Sequence, residues 1–130
     1  MKREVLFRGK RKNGQWVYGS LVVSENINPA IYYEVGNGLV KQLDWCYISP
    51  DTIGQYTGLK DKNGKKIFDG DILEYIGKRK DNMSKVYHRK VVFHEGAFFL
   101  SVEDGVHYPV RTPIYEHNIV NWDIVGNVHE

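Results

Sequence analysis

The sequence predicts an all-β fold built from short antiparallel hairpins, and three observations carry that expectation. Asn-Gly pairs recur at Asn13-Gly14, Asn37-Gly38 and Asn63-Gly64. The segments around them are rich in β-branched and aromatic residues. Apolar residues at amphipathic helical spacing are hard to find anywhere in the chain. Asn and Gly tolerate the positive φ that tight hairpin turns demand, so each pair marks a hairpin tip.

Taken in order, Glu4-Val5-Leu6-Phe7-Arg8 leads into the first turn and residues 16–23 leave it. Ile31-Tyr32-Tyr33-Glu34-Val35 and Leu39-Val40-Lys41-Gln42-Leu43 straddle the second. Further strands are expected over 72–76, 86–93, 98–102 and 122–129, with turns at Glu95-Gly96 and Asp104-Gly105. Thr112-Pro113-Ile114-Tyr115-Glu116 is the best helical candidate, with Thr as an N-cap and Pro at the first helical position. One or two turns are expected there.

With 130 residues the chain is expected to form one domain. A chain of this length buries roughly two-thirds of its unfolded surface, so its core needs no disulfide or metal. The 42% hydrophobic content, with nine Tyr, five Phe and three Trp, is that of a folded protein. Residues 10–18 overlay on 60–68 at a fixed offset, Lys-x-Lys-Asn-Gly in both. Two related β lobes would explain the match, with sub-lobes at about 1–58 and 67–130. Convergence of two basic hairpin tips on the same turn chemistry is preferred. A small SH3-like barrel or two β lobes sharing one core are the two architectures consistent with these signals.

The central block Thr52-Ile53-Gly54-Gln55-Tyr56-Thr57-Gly58-Leu59-Lys60-Asp61-Lys62-Asn63-Gly64 continues through Asp69-Gly70-Asp71. Phe7-Arg8-Gly9 and Trp16-Val17-Tyr18-Gly19 precede it, and Trp122-Asp123-Ile124-Val125-Gly126-Asn127-Val128 follows. Together these segments resemble the YopX family of phage and prophage proteins over almost the whole chain. The resemblance implies a mainly β structure and a phage or prophage setting. It brings no catalytic residues with it.

Chemistry-bearing constellations are sparse. Cys46 is the single cysteine, which excludes an internal disulfide and a paired-thiolate zinc site, and fits a reducing, cytoplasmic address. No apolar stretch approaches the roughly 18 residues of a membrane span, so no membrane partner is expected. His88 and His94, six apart on one strand, would stand about 20 Å from each other, too far to share a metal. Asp69 and Asp71 could face one side as paired carboxylates, but Asp-Gly-Asp reads better as turn chemistry. Neither a nucleophile elbow nor a phosphate-binding glycine loop occurs. No catalytic residue, metal or cofactor is therefore expected.

Two basic clusters remain. The first joins Arg8, Lys10, Arg11 and Lys12 to Trp16 and Tyr18. The second runs through Lys78, Arg79, Lys80, Lys85, Arg89 and Lys90, and sets Lys78, Arg79 and Lys80 beside Tyr75 and Tyr87. Cations beside aromatics are what an unpaired strand of nucleic acid requires, while Lys at hairpin tips also guards sheet edges. The chain from 103 onward carries more acid than base, against a basic front half. Such asymmetry suits self-association or docking on a host or phage protein. A binding protein, acting first through protein contacts and alternatively on nucleic acid, is the expected function class.

Overall fold

The computed structural model describes residues 4–36, 38–78, 84–102, 110–114 and 116–130. Asn37, Arg79, Lys80, Asp104, Gly105 and Tyr115, named above, lie outside the described residues. The chain divides into two compact units, Met1–Tyr56 and Thr57–Glu130. Strands dominate both, and all of those described pair antiparallel.

The first unit opens with β1 (Phe7–Lys10), β2 (Trp16–Ser24), β3 (Ile27–Val35) and β4 (Gln42–Tyr47), followed by a 3-10 turn at Pro50–Thr52. Spatial order is β4-β3-β2-β1, after which comes β5 (Gly54–Lys60). β5 begins in this unit, where Gly54 and Gln55 pair with Arg8 and Phe7. The β1–β2 hairpin closes with Arg11 N–H on Gln15 O at 2.9 Å and Gly14 N–H on Arg11 O at 2.8 Å, and Gly14 takes φ +86°. The β2–β3 hairpin turns on Glu25 and Asn26, a turn the sequence did not announce. Alternate residues face inward, so Val17, Ile31 and Ile48 form a buried cluster with Leu21, Tyr33, Cys46 and Ile53 against it.

At Gly19 the backbones crowd. A Cβ there would stand 2.1 Å from the carbonyl oxygen of Tyr32, so only glycine fits this approach.

The second unit holds the end of β5, β6 (Lys66–Phe68), β7 (Asp71–Lys78), β8 (Ser84–His94), β9 (Ala97–Val102), β10 (Val110–Pro113), α1 (Glu116–Ile119) and β11 (Asp123–Asn127). Its larger sheet runs β10-β9-β8-β7-β11. Glu95 and Gly96, both at positive φ, form the two-residue β8–β9 turn that Glu95-Gly96 predicted. Leu73, Val91 and Leu100 share one face of β7, β8 and β9 and, with Ile67 and Ile119, make the second buried cluster. The 61–65 turn repeats the geometry of the first hairpin: Asp61 N–H reaches Lys65 O at 2.8 Å and Gly64 N–H reaches Asp61 O at 3.0 Å. That shared closure is what the turn chemistry alone requires.

Two expectations are corrected. The sheets are open rather than closed into a barrel, because among the described residues each ends on strands with no outer partner, β4 and β6 in one, β10 and β11 in the other. Two of these edges resist pairing: Asp44 Oδ1 accepts the N–H of Trp45 on β4 at 2.8 Å, and Pro113 brings no N–H to β10. Thr112 and Pro113 do not start a helix. They pair with Leu100 and Phe99 at the end of β10, and the four-residue α1 begins only at Glu116. A residue before proline disfavours the helical region, and an edge strand tolerates the missing donor.

Candidate functional site

Most residues of the central sequence block serve the scaffold. Thr52 Oγ1 donates to Ser49 O at 2.7 Å and accepts the Lys10 N–H at 2.8 Å, tying the 3-10 turn to β1. Tyr56 is buried and its N–H reaches Leu6 O at 2.8 Å. Gly54 lies buried beside β1, and Gly58 turns β5 at φ +88°. Asp61 is buried, with Oδ1 accepting from the Asn63 and Lys65 N–H groups, both at 2.9 Å. The Asn63 side-chain amide in turn donates to Asp123 at 2.7 Å. Asp71 is also buried and takes the Phe68 N–H at 2.8 Å, so with Asp69 and Gly70 it builds the β6–β7 turn.

Among the described residues no group of three or more His, Cys, Asp or Glu side chains is placed to hold a metal ion. His88 instead meets Glu74, its cross-strand neighbour, at 2.8 Å. No described helix is long and apolar enough to cross a membrane.

The first basic cluster is largely spent on packing. Arg8 and Lys10 alternate on β1 and sit opposite Tyr18 and Trp16 on β2, so all four share one side of the sheet. The Arg8 guanidinium is buried over the Trp16 ring, 4.5 Å from its centroid, and the Lys10 ammonium stands 5.2 Å from the same ring. Arg11 points elsewhere. Its guanidinium donates to the Tyr33 hydroxyl at 2.6 Å, which donates onward to Asp44 Oδ2 at 3.4 Å. Lys12 and Tyr18 stay exposed.

The same side of the sheet continues as an aromatic surface. Ser20 pairs with Tyr32 and Tyr32 with Trp45, while Val22 pairs with Ala30 and Ala30 with Tyr47. Cross-strand partners project to one face, so Tyr18, Val22, Tyr32, Trp45 and Tyr47 stand together. Tyr32 and Trp45 stack with centroids 6.1 Å apart, and Tyr47 meets Trp45 edge-on at 5.0 Å. Trp45 remains 45% exposed and Tyr47 52%, whereas Ile31 on the opposite face is fully buried. Of this surface only Tyr18 was among the expected binding residues, and Tyr32 was expected only as part of a strand. The signal was present in Leu43-Asp44-Trp45-Cys46-Tyr47, an alternation whose apolar members proved to face outward.

The second cluster is met in part. Lys78 ends β7, and Arg79 and Lys80 lie outside the described residues. Tyr87 on β8 pairs with Tyr75 on β7, their ring centroids 6.1 Å apart, and Trp122 lies 5.4 Å beyond Tyr75. The Lys85 ammonium stands 5.0 Å and the Arg89 guanidinium 5.4 Å from the Tyr87 centroid. Trp122, 47 residues from Tyr75 in the chain, had no local signal to place it here.

Comparison with known proteins agrees with this architecture. The crystal structure of protein EF1440 from Enterococcus faecalis is similar with a TM-score of 0.64, covering 98% of this chain and 95% of that one at 23% identity. That likeness shows the fold. No curated protein matches the chain. A family model described as YopX protein matches residues 6–130, spanning the opening Phe7-Arg8-Gly9, the central block and the closing strand, and the chain belongs to the YopX family.

Proposed function

We propose that this protein acts without catalysis, by binding, and that the outer face of β2, β3 and β4 packs against a second copy of the chain. The phage or prophage setting implied by the family resemblance suits such an accessory role. One observation carries the reading: Tyr32, Trp45 and Tyr47 form a contiguous, solvent-exposed aromatic run, extended by Val22 and Tyr18. Contiguous apolar patches of this kind mark interaction surfaces on water-soluble domains. Tyr and Trp are also the residues that dominate binding energy when buried at the centre of an interface.

The chemistry of the face favours a like partner. The three rings and Val22 carry no charge, so nothing on that run calls for a partner of opposite sign. An aromatic sheet face packs well on its own copy about a two-fold axis, as two sheets do in a sandwich. Edge-to-edge pairing through β4 is disfavoured, since the Asp44 carboxylate covers the Trp45 N–H. Sedimentation velocity from micromolar to near-millimolar concentration tests the reading. A dimer that the Trp45→Ser, Tyr47→Ser pair converts to monomer is expected. A wild-type chain that stays monomeric throughout would sink it.

A further inference from the structure

The side of β7 and β8 that carries the core of the second unit changes character along its length. Leu73 on β7 and Val91 on β8 are fully buried. Two residues further along each strand, the same side presents Tyr75 and Arg89, then Tyr87, Gly77 and Lys85. Here a cleft of about 340 Å³ opens, lined by Tyr75, Tyr87, Arg89, Asn118 and Trp122 with Leu100 as its buried floor. A Cβ at Gly77 would stand 3.2 Å from the Tyr75 ring and 3.5 Å from the Tyr87 ring, so glycine keeps the mouth beside both rings clear.

We infer that this cleft binds single-stranded nucleic acid, stacking an unpaired base on the Tyr87–Tyr75–Trp122 row and holding the adjoining phosphate between Lys85 and Arg89. The three rings follow one another at 6.1 and 5.4 Å and are inclined by 34° and 35°, so they form one aromatic cluster along the cleft. Base stacking on such rings tolerates any sequence, because every base offers a flat face. The two cations sit over the Tyr87 ring, at 5.0 and 5.4 Å from its centroid, so a base that takes a cation's place on that ring keeps its phosphate within their reach. No carboxylate belongs to the described lining, and Glu74 projects from β7 to the opposite side, where His88 takes it. The cleft therefore suits an anion carrying a planar group. Its open form and its size fit a nucleotide of a flexible strand rather than a stacked duplex, whose base faces are not accessible.

The test is fluorescence anisotropy of the full chain with labelled oligo(dT) and oligo(U), a duplex of the same length as control, across a salt series. Expected is low-micromolar single-strand binding that weakens with salt, and duplex binding at least tenfold weaker. Tyr87→Leu, which keeps apolar bulk and removes the ring, should lower single-strand affinity about tenfold or more. Arg89→Gln should reduce the salt slope by about 0.7, the value of one phosphate contact on a single strand. Circular dichroism melts of both variants guard against loss of the fold, and Lys85→Gln gives an independent reading if either melts early. Lys12→Gln, in the other unit, should leave affinity unchanged. Absence of binding at low salt overturns the inference. So does binding that Tyr87→Leu, Arg89→Gln and Lys85→Gln leave intact, or binding of the duplex as tight as of the single strand.

Discussion

Asp61 reaches across 63 residues to hold Ile124: its Oδ2 accepts the Ile124 N–H at 3.1 Å while its Oδ1 closes the 61–65 turn. Next to this bond, the Lys62 N–H reaches Trp122 O at 2.9 Å. One buried carboxylate thus sets a hairpin tip and docks the start of β11, which in turn places Trp122 against Tyr75. Asp61→Ala leaves three backbone donors without their acceptor. A loss of about 3 kcal/mol is expected from urea unfolding, because three part-buried donors lose a buried carboxylate acceptor together. Asp61→Asn retains one acceptor oxygen and should lose less. A cost under about 1 kcal/mol for the alanine variant would show that water replaces the carboxylate.

Gly19→Ala forces a methyl group into the Tyr32 carbonyl, and backbone cannot step aside as a side chain can. The β2–β3 pairing must open, so low soluble yield or a loss above about 2 kcal/mol is expected. Gly14→Ala is the informative control. Open space surrounds that position, and only its φ of +86° opposes the substitution. Its cost should stay near about 1 kcal/mol, the penalty for an L-residue in the left-handed region.

Ile31 and Leu73 are both fully buried, one in each cluster. Truncation of either to alanine should cost about 2–5 kcal/mol by urea unfolding, the range for a cavity left in a packed core. Values under 1 kcal/mol would mean that the cluster collapses into the space.

Asp44→Ala uncovers the Trp45 N–H on the β4 edge while leaving the strand's apolar residues in place. Concentration-dependent aggregation with rising thioflavin signal is expected, since a bare, flat, aromatic edge is a template for further strands. Asp44→Asn, whose side-chain oxygen can still accept from that N–H, should aggregate less. Equal behaviour of both variants and the wild type would show that the carboxylate has no guarding role.

The hairpins were legible because turn chemistry is local. Asn13-Gly14, Asn63-Gly64 and Glu95-Gly96 each announced a tip, and each tip is found where positive φ is needed. The Glu25-Asn26 turn escaped notice for want of a glycine. Thr112-Pro113 misled because a helix start and the end of an edge strand share the same residues, and the pairing of β10 with β9 decided between them.

The candidate surfaces were legible only in their parts. Lys85, Tyr87 and Arg89 lie on one strand and alternate to one side, so their grouping follows from period two alone. That Arg8 is buried on Trp16, and hence unavailable to a ligand, follows only from the packing of β1 against β2. By itself the sequence determined the all-β class, the family and the hairpin tips, because turn propensity and strand periodicity act over a few residues. Tertiary structure decided the open sheets, the outward aromatic run of Tyr32, Trp45 and Tyr47, and the meeting of Trp122 with Tyr75. Which face of a strand is covered depends on partners far along the chain, and no local pattern encodes it.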